Sequence, residues 1–380
     1  MLSKRLSRIE ESATIKMGQI AKQLQAEGKE VLNFTLGEPD FKTPEHICEA
    51  AKHALDLGYT HYTNSPGIDE LREEIAKKIR EENGVDAAVG NVIVTPGAKQ
   101  AIYEVMMSVL DDGDEVIMLD PSWVTFESAV KLAGGEPKWV NRVDEEVKYE
   151  SLEAVASGNT KMIIINSPNN PAGYVLSDKE QKEIAEFAVD KDILVLSDEI
   201  YEKILYEGRK HVSIASFDGM QERTVIINGF SKTYAMTGWR IGYAVAPAEI
   251  LNGMLKIQQH SVTCASSMSQ FAVLTALRSS QECVTEMVDE FTNRRELIVK
   301  RLNELRLRCL NPEGAFYAFV NTSDHGNDIE FTERLLKEAY VVVTPGSAFG
   351  LAGKDYVRFS FAASIDDISV AMDRIEEMLS

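Results

Sequence analysis

Val225–Arg240 reads VIINGFSKTYAMTGWR, and the order of residue types in it decides the fold class. Val225–Ile227 is an apolar run of strand length, and a polar loop carrying Ser231 and Lys232 follows it directly. Arg240 then opens the next apolar run, Ile241–Val245. Outward from this segment the alternation repeats. Val92–Thr95, Glu115–Leu119, Met162–Ile165 and Ile193–Leu196 are further runs, with helical candidates at Lys99–Leu110, Val124–Leu132 and Lys179–Val189. Strand and helix in alternation, here from about Ile47 to Leu277, predict an α/β chain. Its crossover units build a mostly parallel central sheet sandwiched by helices. In such sheets ligands sit beyond the carboxyl ends of the strands. The polar residues after each run are therefore the candidates for chemistry.

The last hundred residues follow another pattern. Val284, Met287, Val288, Phe291, Ile298, Leu302 and Leu305 fall on one side of a long helix. Strand-like runs follow at Ala315–Val320, Tyr340–Val343 and Tyr356–Phe361, with a closing helix from Asp366. This predicts a smaller α+β domain over residues 281–380 beside a large domain over 47–280. The arm over 1–46 is expected to cross and join the smaller one.

A chain of 380 residues is long enough for two such cores. Its formal charge of -20 excludes a general nucleic-acid binder and docking on an anionic membrane, both of which need clustered Lys and Arg. An anionic substrate requires a locally positive pocket. Cys48, Cys264, Cys283 and Cys309 are scattered, without C-x-x-C pairs or His at zinc spacing, so free thiols and no metal are expected. The first residues, MLSKRLSRIEES, contain no apolar signal core, and no apolar run approaches a membrane span. A cytoplasmic location follows as the expectation.

Four strand-end loops carry the candidates. Val92–Thr95 runs into Pro96-Gly97-Ala98-Lys99 and a helix, whose first N–H groups suit a phosphate. Met162–Ile165 ends in Asn166-Ser167-Pro168-Asn169-Asn170-Pro171, a stiff loop rich in amides that also reads as an ordinary turn. Ile193–Leu196 ends in Ser197-Asp198-Glu199-Ile200-Tyr201. A carboxylate after an apolar strand needs a partner, or caps a helix. In the opening segment, a Lys232 held near Arg240 would have a depressed pKa and a nucleophilic amine, while Ser231 and Arg240 would offer a hydroxyl and a forked cation to a phosphate. A Schiff-base lysine, a phosphate cradle and an acid for a ring nitrogen are together what pyridoxal 5′-phosphate requires.

With these loops in view, the sequence resembles the class I pyridoxal-phosphate-dependent aminotransferases of fold type I, nearest the bacterial and archaeal aspartate aminotransferase subgroup. The likeness runs through SATIKM, LGEPDF, TPEH, GIDELREEIA, PGAKQA, DPSW, NSPNNPAG, SDEIYE, SKTYAMTGWRIGY, GAFY and VRFSFA. It implies that Lys232 is the Schiff-base lysine and proton carrier, and that Asp198 pairs with the pyridine nitrogen. Tyr201 and Asn170 would hydrogen-bond the phenolic oxygen, and Trp123 would stack on the ring unless it is a core residue. Gly97, Ala98, Ser231 and Arg240 would hold the phosphate. Tyr62 would reach the phosphate of a neighbouring subunit in a homodimer, or is a surface aromatic. Arg358 would grip the substrate α-carboxylate bidentately, with the Gly37 N–H beside it.

The resemblance also bears on the substrate. Lys99, with Ser12 and Thr14 of the arm, matches groups that read the distal carboxylate of aspartate or glutamate, although Lys99 can also be read as a solvated lysine at a helix start. Glu10 and Glu11 precede that motif, and either discourage an acidic side chain or face solvent. Aspartate with 2-oxoglutarate is the expected pair. Broader specificity toward alanine or aromatic donors, a lyase of the same fold, and a non-catalytic ligand-sensing domain are the alternatives.

Overall fold

The computed structural model describes residues 2–143 and 145–380. The chain enters through helix α1 (Ala13–Ala26) and the short strand β1 (Leu32–Asn33). Helices α2 (Glu45–Asp56) and α3 (Asp69–Asn83) lead into the large sheet. There β2 (Val92–Thr95), α4 (Ala98–Val109), β3 (Glu115–Asp120), α5 (Val124–Leu132) and β4 (Glu136–Asn141) come first. Next are α6 (Tyr149–Glu153), β5 (Thr160–Asn166), α7 (Asp178–Asp190), β6 (Leu194–Asp198), β7 (Thr224–Gly229) and β8 (Gly242–Val245). Helices α8 (Ala248–Ser261) and α9 (Ser267–Arg278) complete this part.

The seven strands lie in the order β2-β8-β7-β6-β5-β3-β4, and all neighbours are parallel except those of β8. Strand β8 runs antiparallel for a local reason. The Phe230–Ile241 connection contains no α-helix to carry the chain back across the sheet, so the strand returns in the opposite sense. Successive strand residues separate the two faces. Met162, Ile164 and Leu196 pack with α4, α5 and α8, while Ile163, Ile165 and Val195 pack with α7 on the other side. Burial on both faces explains why these strands read as continuous apolar runs.

The remainder forms α10 (Glu282–Glu304), β9 (Cys309–Leu310), β10 (Tyr317–Asn321), α11 (Asp328–Arg334), β11 (Val341–Val342), β12 (Thr344–Pro345), β13 (Tyr356–Ser360) and α12 (Ile365–Leu379). Strands β12, β13, β10 and β9 make an antiparallel sheet, and β11 instead pairs in parallel with β1, Leu32 opposite Val341. The run expected at Tyr340–Val343 forms a strand only over Val341–Val342, and β12 follows it at Thr344–Pro345 in the other sheet. The N-terminal segment is stitched to this part of the chain, and the Ser360 N–H donates to Phe34 O at 2.8 Å. Helix α10 buries Val284, Met287, Phe291, Ile298 and Leu302 along one side.

Candidate active site

Parallel β3, β5, β6 and β7 release their carboxyl ends at one edge of the large sheet, and β10 and β13 face that edge from the small one. Between them lies a cavity of about 390 Å³. Every candidate side chain lines it except Gly97 and Tyr62.

Lys232 follows β7 and donates from Nζ to Gly37 O. Burial lowers its pKa to about 8, with Arg240 and Arg358 adding to the effect and Glu38 and Asp198 opposing it. The depressed value expected from the neighbouring arginine is thus present, but burial is its main cause. Asp198 ends β6 and is buried. No helix follows it, so the capping alternative falls away. Its Oδ1 accepts only a 3.2 Å bond from the Ile200 N–H, and burial pushes its pKa to about 7. A carboxyl in that position favours a cationic N–H partner, which a protonated pyridine nitrogen supplies.

Helix α4 begins at Ala98, with Gly97 at its cap. Gly97 has φ +89°, and a Cβ there would stand 2.5 Å from Arg240 Nη2. A Cβ on Gly242 would collide with Ala98 N. The two glycines let a guanidinium and a helix N-terminus converge, which is a cradle for an oxyanion. Arg240 is held there in a left-handed conformation, φ 52°, and donates from Nη1 to Thr237 O at 2.8 Å. Ser231 is buried at the same rim. A buried acid beneath a lysine of lowered pKa, beside an oxyanion cradle, fits pyridoxal phosphate.

Arg358 lies on β13 and is 1% exposed. Its Nη1 donates to Asn170 Oδ1 at 2.8 Å and its Nη2 to Thr35 O at 2.7 Å. Nε is buried without a partner, so three of the five N–H bonds remain for a carboxylate. Because Asn170 spends its oxygen on Arg358, its amide nitrogen is left as the donor toward the cavity. Lys99 places its amine 4.9 Å over the Trp123 ring, and burial followed by Arg240 lowers its pKa. Lys99 keeps an exposed side at the start of α4 while its amine faces the cavity, and Trp123 is half-buried, packed on one side against the core and open to the cavity on the other. Ser12 and Thr14 reach the cavity from α1, and Glu10 and Glu11 are exposed outside it. Tyr62 is 84% exposed in the single chain.

Tyr317, Asn166 and Ile15 also line the cavity and were not singled out from sequence. Tyr317 stood within the quoted GAFY stretch, and Asn166 within the amide-rich loop, where it donates to Asp198 O at 3.1 Å. Glu199 turns the opposite way from Asp198. It accepts bonds from Asn83, Ser197 and Ser213 and meets His211 Nε2 at 2.8 Å, while Lys78 pairs with adjacent Glu202.

Fold and cavity together define a pyridoxal-phosphate-dependent enzyme of fold type I. The sequence matches the family described as aminotransferase class I and II over residues 29–375. An aspartate aminotransferase from Pyrococcus abyssi is 45% identical over 100% of this chain and 98% of its own length. Aromatic-amino-acid aminotransferase 2 of Thermococcus litoralis is likewise 45% identical with the same coverage. The solved aspartate aminotransferase from Thermus thermophilus with maleate has a TM-score of 0.95 and 39% identity, covering 100% of this chain and 99% of that one. The chain belongs to the class I and II aminotransferases, and it transfers amino groups between amino and 2-oxo acids with pyridoxal phosphate.

Proposed function

We propose that the amino donor is a dicarboxylic amino acid, aspartate first, with 2-oxoglutarate as acceptor, giving oxaloacetate and glutamate. The observation that carries this reading is the presence in one cavity of two separate cationic side chains, Arg358 on β13 and Lys99 on α4. Arg358 would take the α-carboxylate through its three spare N–H bonds, assisted by Gly37. Lys99, with the hydroxyls of Ser12 and Thr14, would take the distal carboxylate.

When bound, pyridoxal phosphate supplies an aldehyde carbon that exchanges amines and a ring that accepts electrons from the substrate Cα. Gly97, Ala98, Ser231 and Arg240 would hold its phosphate, and Trp123 would cover its ring. Asp198 would keep a proton at the ring nitrogen. Asn170 and Tyr201 would donate to the phenolic oxygen. With a pKa near 8, Lys232 has a neutral fraction at ordinary pH, so its Nζ can take a proton from Cα and return it nearby. Tyr62, exposed in one chain, would complete the phosphate site of a second in a homodimer. Among the described residues no helix is long and apolar enough to cross a membrane. A cytoplasmic location is proposed on the sequence reading above. The division at residues 46 and 280 is kept as a proposal, supported by the separate sheets.

Ile15 and Trp123 give the same cavity an apolar wall, which favours a second reading in which aromatic donors are also used. A panel of amino donors against 2-oxoglutarate decides between them. Aspartate is expected to exceed phenylalanine in kcat/KM by about tenfold, the equivalent of one charge-assisted contact of about 1.4 kcal/mol between Lys99 and the distal carboxylate. Equal or higher values for phenylalanine would replace the first reading with the second.

A further inference from the structure

Tyr317 opens β10 and is fully buried. Its Oη lies 2.8 Å from Tyr201 Oη, and its ring face lies 4.5 Å from Arg358 Cζ. A Cβ on Gly37 would come within 3.0 Å of the Tyr317 oxygen, so the glycine leaves just enough room for this hydroxyl.

A phenol has one proton to give. Burial raises the pKa of both tyrosines, so each keeps that proton at neutral pH. If Tyr201 donated to Tyr317, it would have no hydrogen left for the cavity. If Tyr317 donates to Tyr201, the Tyr201 proton is free to point inward, and its O–H is polarised as a stronger donor. The proton count therefore couples the direction of the tyrosine pair to the chemistry at the cofactor.

We propose that Tyr317 is a positioning residue whose hydroxyl donates to Tyr201 and thereby commits the Tyr201 proton to the phenolic oxygen of the cofactor. This rests on the reading of Tyr201 given above. Because the Tyr317 ring also covers Arg358, one side chain spans the carboxylate-binding arginine and the phenolic-oxygen donor.

The test is a spectral pH titration of the cofactor-loaded enzyme and of Tyr317→Phe, Tyr201→Phe and the double variant. A donor to the phenolic oxygen favours its anionic form and so lowers the pH midpoint of the visible absorption change. Tyr317→Phe keeps the ring against Arg358 and Phe316 and removes only the hydroxyl. Its midpoint is expected to rise by about half a pH unit or more. Tyr201→Phe is expected to raise it further, and the double variant to match Tyr201→Phe alone. An unchanged midpoint in Tyr317→Phe, or additive shifts in the double variant, would overturn the proposal. No shift in Tyr201→Phe would instead remove the assignment of Tyr201 on which it rests.

Discussion

Replacing Glu104 by Gln is expected to stabilise the folded enzyme at alkaline pH far more than at acid pH. Glu104 lies on α4 and is 0% exposed. One carboxylate oxygen accepts from Gln100 Nε2 at 2.9 Å, and the other is buried without a partner. Burial pushes its pKa from an ordinary 4.5 up to about 7, with the Gln100 bond opposing. Between those two values the folded chain holds a proton that the unfolded chain has lost. The sign follows from this: the contribution of the group to stability is intact below pH 4.5, falls as pH rises, and is fully lost above about 7. At 1.36 kcal/mol per unit, the full penalty is about 3 kcal/mol. Glutamine has no charge to bury and escapes it. The added amide N–H lacks an acceptor at a cost of about 1–3 kcal/mol, but that cost is the same at every pH and cancels in the comparison. Urea unfolding of the cofactor-loaded parent and variant at pH 5 and 8.5, at one protein and cofactor concentration, measures the quantity. Part of the penalty is already present at pH 5, so the stability difference between variant and parent is expected to move in favour of the variant by about 2.5 kcal/mol from the lower pH to the higher. A difference that is the same at both pH values would refute the reasoning, because the carboxylate would then carry no burial penalty.

The remaining predictions concern the cavity. Lys232→Ala is expected to abolish the visible absorption of the cofactor-loaded enzyme and to lower transamination by about 10²–10⁴-fold, the range for losing a positioned acid–base group. Persistence of the band, or borohydride fixation of the cofactor at another lysine, would contradict the role assigned to Lys232. Arg358→Lys replaces a planar fork by a point charge and is expected to lower kcat/KM for amino and 2-oxo acids alike by about 10²-fold. Steady-state kinetics with both substrate classes checks this, and retention of parent values would remove Arg358 from the carboxylate site.

Legibility in the sequence tracked burial. Val92–Thr95 and Val124–Leu132 have in the structure the bounds expected from the sequence, because the strand is buried throughout and the helix has one clean apolar side. Strand β4, EPKWVN, went unread because it carries Pro137 and polar residues, which an edge position next to β3 alone tolerates. The cavity residues on loops after apolar runs were legible as candidates because ligands sit beyond the carboxyl ends of parallel strands, although each loop also admitted a turn or a cap. Tyr317 was not, since an aromatic at the start of a strand normally signals packing, and only its contact with Tyr201, 116 residues away, gives it another role. The direction of β8 was equally hidden, because antiparallel return depends on what the preceding loop does rather than on the strand itself.

How the cations are partnered explains why an acidic protein presents a positive cavity. Elsewhere, Arg142 pairs with Glu180, Arg294 with Asp40 and Glu290, and Arg295 with Glu207. In the cavity the partners are neutral. Lys232 donates to Gly37 O, Arg240 to Thr237 O, and Arg358 to Thr35 O and Asn170 Oδ1, while Lys99 lies over the Trp123 ring. A carbonyl fixes the direction of a cation without cancelling its charge, whereas a carboxylate does both. The nearest buried acid, Asp198, has its pKa raised to about 7, so it too withholds part of its negative charge. The fold thus orients Lys99, Arg240 and Arg358 and leaves their charge for a phosphate and two carboxylates, while Lys232 is held as the reactive amine. Substituting a carboxylate for one of those neutral acceptors would preserve the orientation while weakening exactly the attraction on which anion binding depends.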